Sequence, residues 1–462
     1  MFFPETDFVR MTPHEAGISE AAISRALRRI ADSHKDIHSM LILRDGALVF
    51  EHYFDPYTAD KPHAMYSCSK TFTSMCVGIA VGKGLIHLND RVVDFFPDVP
   101  YENTENLQKM TIHDLLCMGS GHGEDTFGGM LAAEGNWPGV FLNQVVDHEP
   151  GGHFVYNTGA TYMLSAILTR VTGRSTLDLA DEWIFRKIGI DRPVWLTCPD
   201  GVPQGGTGLY LKPRDLARMG LLISNNGVWK GEQIVPADYV AKASSAQIDN
   251  SCPNNVDDPN WHEGYGYQMW RCSFGAFRAD GMGGQYIVMM PEKGLVFVFT
   301  SALGDDIAFD LHVIEDELLP GVSDGPVAAE AIEYPAPKRL DASLLPEMGA
   351  TYAFADNAGG LKSLRMDAET VTLTFADGVV CVPYGVGRAK LSNQAYKWMG
   401  WAAPSPVMTT VWSEDKLYIR MNEFGEPASM LFEIEKNGDG LKLTGGFTMG
   451  ENHYEAEGKK VC

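Results

Sequence analysis

The chain has 462 residues, enough for two or three domains of typical size, and its 45% hydrophobic and 21% charged residues are those of a globular protein with a large core. Sixty acidic against 37 basic residues leave a net charge of −23, which disfavours nucleic acid and acidic membranes as partners. No apolar run approaches the ~18 residues that span a bilayer, and Met1–Asp7 carries neither a basic n-region nor an apolar h-region, so a cytoplasmic protein without membrane association is expected.

In chain order, Ser19–Ser33 has a helical period, with Ile23, Leu27 and Ile30 apolar and Arg25, Arg28 and Arg29 polar. Ile37–Tyr53 predicts a hairpin turned by Arg44-Asp45-Gly46. The apolar run from Met75 to Leu85 predicts a helix opened by Met65-Tyr66-Ser67-Cys68-Ser69-Lys70. Asp90–Pro100 carries Val92, Val93, Phe95 and Phe96 before a proline break, and Thr111-Ile112-His113-Asp114 predicts a capping box ahead of Leu115-Leu116. A second strong helix is predicted over Thr158–Gly173, and another begins at Lys212-Pro213-Arg214 and closes at Asn225-Asn226-Gly227. Tyr265–Ser301 reads as strands with a tight turn at Pro291-Glu292-Lys293-Gly294, and Asp305–Leu319 reads as helix.

Strands early and late with helices between predict an α/β domain over residues 1–320. Its antiparallel sheet is built from both ends of the segment, with a helical region inserted. Residues 321–338, holding Gly, Pro, Ala and Glu, read as a linker. Residues 339–462 alternate apolar and polar positions, turn at Asp377-Gly378 and Asn437-Gly438-Asp439-Gly440, and predict a separate all-β domain. The eight cysteines form no C-x-x-C and no zinc spacing with histidine, so neither a metal nor a cofactor is expected.

Ser67-Cys68-Ser69-Lys70 has the form S-x-x-K. On a helix Ser67 and Lys70 share one face, one turn apart. A hydroxyl near the positive end of a helix, with an amine one turn in, is a candidate nucleophile. The amine takes the serine proton if burial and a nearby cation lower its pKa. The pattern alone is weak: Ser413-Glu414-Asp415-Lys416 also fits, but it lies in an acidic turn between strand-like segments and reads as solvated surface. Cys68 would point about 100° away from the face of Lys70 and reads as a packing residue.

Two further stretches are candidates for the same site. Tyr156, at the mouth of the helix predicted from Thr158, is either a general base pushed toward phenolate by a nearby ammonium or a buried tyrosine with a satisfied hydroxyl. Ala279-Asp280-Gly281-Met282-Gly283-Gly284-Gln285 is either a strand edge offering free amides to an oxyanion or a bulge or tight turn.

Taken together, these stretches resemble the serine β-lactamase-like hydrolases, on the class C branch that also holds esterases, D-aminopeptidases and 6-aminohexanoate-dimer hydrolases. The resemblance covers about residues 10–320. Besides Ser67-x-x-Lys70 it rests on Val81-Gly82-Lys83-Gly84-Leu85-Ile86, Asp90-Arg91-Val92, Thr111 through Gly121, Pro150 through Tyr156, Arg214-Asp215-Leu216-Ala217-Arg218, and Gly283-Gly284-Gln285 through Lys293. It implies Ser67 as nucleophile with Lys70 and Tyr156 as partners, and the amides of Ser67 and Met282 as the oxyanion hole. Asn157, Thr158, Asp280, Gly281, Gly283, Gly284 and Gln285 would bind substrate or support the site.

Two positions depart from the family pattern. Thr158 takes the Asn place of the Y-x-N motif, with Asn157 beside it. The K-T-G motif aligns with Ala279-Asp280-Gly281, so the lysine that helps hold a substrate carboxylate in penicillin-binding relatives is replaced, with Arg278 as the nearest basic residue. The resemblance thus implies an esterase or amidase acting on a small-molecule ester or amide. A β-lactamase or DD-peptidase, an acyltransferase and a non-catalytic binding protein are the alternatives. Trp137, Phe141, Trp261 and Trp270 are candidates to line the pocket, and Glu124 and Asp125 either recognise a cationic group or are solvated loop acids. A homo-oligomer through the C-terminal domain is left open.

Overall fold

The computed structural model describes every residue except 5–6, 252–255, 305, 377, 396–405, 427–428, 448–452 and 462. Helix α1 (Glu20–Asp32) begins at Ser19, whose hydroxyl accepts from the Ala22 amide, and buries Ile23, Leu27 and Ile30. The hairpin of β1 (Ile37–Arg44) and β2 (Ala47–Tyr53) follows. Three longer helices come next, α2 (Ser69–Gly82), α3 (Thr158–Thr172) and α4 (Pro213–Ser224), joined by short helices and loops. Then come β3 (Trp270–Arg271), β4 (Phe277–Gly281), β5 (Gln285–Met290) and β6 (Leu295–Ser301).

These six strands form one antiparallel sheet in the order β2-β1-β6-β5-β4-β3. Its centre joins the two ends of the segment, with Met40 opposite Phe299 and Leu43 opposite Val296. Helix α4 packs across β1, β5 and β6. Strand β1 is buried at every position but Arg44, because both faces of the sheet are covered and an alternating pattern has no solvent side to serve.

Several predicted ends hold. Thr111 and Asp114 form the capping box, and α3 stops at Gly173 in the left-handed conformation. Asp90–Pro100 contributes only a short 3-10 turn, Val92–Phe95. The helix expected over 305–319 starts at Phe309 and widens to a π-helix over Val313–Leu318; Asp305 lies outside the described residues.

The C-terminal region holds β7 (Thr351–Phe354), β8 (Leu361–Met366), β9 (Thr370–Phe375), β10 (Val379–Pro383), β11 (Gly385–Val386), β12 (Lys390–Ala395), β13 (Pro406–Ser413), β14 (Leu417–Glu423), β15 (Ser429–Asn437), β16 (Gly440–Phe447) and β17 (His453–Val461). They run in the order β10-β9-β8-β7-β17-β16-β15-β14-β13-β11, with β12 also on β13. Strand β10 returns into contact with β12 and β13, so the sheet curls nearly shut. Alternate residues such as Val371, Leu373, Ile419, Met421, Phe432 and Ile434 fill its own core. The predicted turn at Asn437–Gly440 closes the β15–β16 hairpin; of the other predicted turn, Asp377 lies outside the described residues.

Between the two cores, residues 322–338 are laid along the first one. Ser323 N donates to Gly17 O at 2.8 Å, Val327 N to His14 O at 2.9 Å and Glu333 N to Ser24 Oγ at 2.9 Å. The curled sheet contacts the first sheet through β14: Arg420 Nη1 donates to Asp36 Oδ1 at 3.3 Å and Asn422 donates to the same carboxylate. Among the described residues no helix is long and apolar enough to cross a membrane.

Candidate active site

Tyr66–Cys68 forms a single 3-10 turn that runs into α2 at Ser69. Ser67 therefore sits just ahead of the α-helix, half-buried, and keeps its one-turn spacing from Lys70. Lys70 is 1% exposed. Its Nζ donates to Ser67 Oγ at 2.9 Å, to Thr158 Oγ1 at 3.2 Å and to Gly206 O at 2.9 Å. Burial draws its pKa down to about 8, against the opposing pull of Asp125 and Asp280. The sequence held a signal for the Gly206 carbonyl that the motif reading passed over: the run Gly205-Gly206-Thr207-Gly208.

The Tyr156 side chain lies beside Ser67, and its ring lies 4.8 Å from Lys70 Nζ and stacks on Trp270 at 5.4 Å. The expected push toward phenolate is reversed. Burial and then Asp280 push the phenol pKa well above its ordinary value, the direction opposite to that of a phenolate base.

At the mouth of α3, Thr158 and not Asn157 reaches Lys70. Asn157 is buried as the helix cap: its Oδ1 accepts from Ala160 N at 3.2 Å and Thr126 Oγ1 at 2.9 Å, which removes it from substrate binding. Asp125 Oδ1 accepts from Thr158 N at 2.9 Å and Phe127 N at 3.0 Å. It is a carboxylate at the positive end of α3, exposed like its neighbour Glu124 on the same loop.

On the facing strand, Gly281 passes so close to the Tyr66–Cys68 turn that a Cβ there would lie 2.3 Å from Met65 O and 3.1 Å from Cys68 N. Gly283 and Gly284 turn the chain back with φ of +78° and +88°. Gln285 is fully buried and braces this turn, donating to Ser301 O at 2.7 Å and Met282 O at 3.2 Å. Neither the Ser67 amide nor the Met282 amide has an acceptor among the described residues. Cys68 donates its thiol to Gln285 O at 3.0 Å, and burial pushes its pKa far up, as suits a packing residue.

Arg278 is fully buried and committed. It donates to Asp280 Oδ2 at 2.9 Å and Asn260 O at 2.7 Å, and its guanidinium lies 4.3 Å from the Trp261 ring centre. It cannot stand in for the missing lysine. Burial raises the Asp280 carboxyl against the pull of Arg278. Trp261 and Trp270 thus wall the guanidinium. Trp137 packs on Phe127 and Tyr162, and Phe141 on His122; both are core rather than pocket lining. In the second S-x-x-K match, Lys416 pairs with Glu433 and Glu435 at the surface of the curled sheet.

An antiparallel sheet with helix-covered faces, and a serine and lysine at the mouth of an interior helix, is the arrangement of the β-lactamase-fold serine hydrolases. The chain belongs to the beta-lactamase family, whose family model matches residues 27–314. It is 22% identical over 334 residues to the 6-aminohexanoate-dimer hydrolase of Paenarthrobacter ureafaciens, covering 68% of this chain and 85% of that protein. Among solved structures, EstCE1, described as a hydrolase with promiscuous acyltransferase activity, matches with a TM-score of 0.55 at 13% identity, over 65% of this chain and 98% of its own. The structure of SurE with D-Leu matches with a TM-score of 0.52 at 17% identity, over 92% of this chain and 97% of its own. Both structural likenesses are of fold.

Proposed function

We propose that the protein is a serine hydrolase of esterase or amidase type that acts on a small-molecule ester or amide through an acyl-enzyme on Ser67. The observation that carries this reading is the 2.9 Å contact from Lys70 Nζ to Ser67 Oγ, made by a buried amine with a pKa near the working range of an enzyme, about 8. Neutral Lys70 accepts the Ser67 proton as Oγ attacks the carbonyl carbon. The carbonyl electron pair moves onto oxygen, where the amides of Ser67 and Met282 receive it. Collapse breaks the bond to the leaving alcohol or amine, which takes the Tyr156 proton; the Lys70 ammonium refills the phenolate. Water then adds to the acyl carbonyl with Lys70 as base; collapse breaks the acyl–Oγ bond, Lys70 returns the proton to Ser67 Oγ, and the acid leaves. A phenol held in its neutral form suits this shuttle better than a standing phenolate base.

The K-T-G lysine is absent and Arg278 is already committed to Asp280, which supports ester or amide cleavage over a penicillin-type substrate carrying a carboxylate. The test is hydrolysis of p-nitrophenyl esters from acetate to octanoate, beside nitrocefin, by wild type and Ser67→Ala. Ester turnover that falls by about 10³-fold or more in the variant is expected, with nitrocefin inert. Full activity in Ser67→Ala would sink the reading.

A further inference from the structure

A turn of the curled C-terminal sheet reaches the residue just before the nucleophile. The two oxygens of Glu426, a side chain 4% exposed, accept from two tyrosines: Oε2 from Tyr66 at 3.3 Å and Oε1 from Tyr210 at 2.7 Å. Next to it, Gly425 O accepts from Ala64 N at 2.8 Å, and the Phe424 ring stacks on Tyr57 at 5.2 Å. The two tyrosines belong to segments that carry the catalytic geometry. Tyr66 precedes Ser67 and holds a left-handed φ of 44°, a conformation that a bulky residue adopts only under external constraint. Tyr210 pairs with Ala64, and four residues before it lies Gly206, whose carbonyl accepts from Lys70. One carboxylate therefore ties together the chain before the nucleophile and the chain that seats its base.

We infer that Glu426 is a positioning residue for Ser67, supplied by the C-terminal sheet, which sets the nucleophile turn through the hydroxyls of Tyr66 and Tyr210. This rests on the hydrolase reading above. The C-terminal region is then part of the active site rather than a spacer.

The test measures the rate of fluorophosphonate labelling of Ser67 and the thermal midpoint of the full chain. The variants are Glu426→Ala, Glu426→Gln, Tyr66→Phe and Asn422→Ala. The last loosens the same interface at Asp36 without touching Tyr66. Labelling is expected to slow about tenfold or more in Glu426→Ala, to recover in part in Glu426→Gln, which keeps one acceptor oxygen, and to stay within about twofold of wild type in Asn422→Ala at a similar thermal midpoint. Tyr66→Phe and Glu426→Ala together should cost less than the product of their separate effects. Wild-type rates in Glu426→Ala, or losses that merely track the thermal midpoint across all variants, overturn the inference while leaving the hydrolase reading intact. A wild-type chain that takes no label at Ser67 overturns both.

Discussion

A buried ammonium whose acceptors are two hydroxyls and a carbonyl is poorly stabilised, and Lys70 is in that position. Its lowered pKa gives the first prediction. Below about 8 the amine is mostly protonated and cannot take the Ser67 proton, so kcat/KM should climb about tenfold per pH unit and level off above that point. A pH profile on a neutral ester checks it; a flat profile from pH 6 to 9 would remove Lys70 as the base. The second prediction concerns Asp280. Asp280→Asn leaves the Arg278 guanidinium buried without its counter-charge and should destabilise the protein by roughly 3–5 kcal/mol in urea unfolding. Arg278→Met combined with Asp280→Asn should recover much of that loss. Ser67 and Lys70 were legible in the sequence because an S-x-x-K spacing is local and a helix turns it directly into contact. The upward direction of the Tyr156 pKa was not, since it depends on burial and on Asp280, far along the chain. The Y-x-N spacing, by contrast, already put Thr158 rather than Asn157 in the place that meets the lysine.

At the level of elements, the helix ends were legible wherever a cap is written into the chain, as at Ser19, Thr111–Asp114 and Gly173. The 3-10 turn at Tyr66–Cys68 was not, because no local propensity favours tyrosine at positive φ; contacts from other parts of the fold hold it there. The widening of 313–318 into a π-helix carries no local signature either. The approach of β4 to the Tyr66–Cys68 turn gives the third prediction. In Gly281→Val the new side chain would start 2.3 Å from the backbone oxygen of Met65. One of the two backbones must move, so ester turnover should fall more than tenfold and stability by about 1–3 kcal/mol. An unchanged burst of p-nitrophenol in that variant would show that the strand end and the turn are not held together as described.

Across the whole molecule, two hydrophobic cores are joined by residues 322–338, and β14 of one bonds Asp36 of the other. The all-β character of the second region was legible from alternation alone; its curl was not, because closure depends on long-range contacts of β10 with β12 and β13. Phe432→Ala, in the second core, should cost roughly 3–5 kcal/mol. If the curled sheet supports Ser67, heat should abolish ester turnover in that variant at the lower temperature at which the sheet melts, as followed by circular dichroism. Turnover that outlasts the sheet would separate the two.

The sheet that joins both ends of the first region also constrains how the protein is made. A ribosome releases β1 and β2 well before β6, so Met40–Leu43, fully buried in the finished protein, has the edge that will meet β6 unpaired while the whole helical region is being synthesised. A nascent chain in that state carries a long apolar strand open to mispairing with its neighbours on the same message. Yield on expression should therefore depend on translation speed and on chaperones that shield nascent chains, more than on the stability of the folded product.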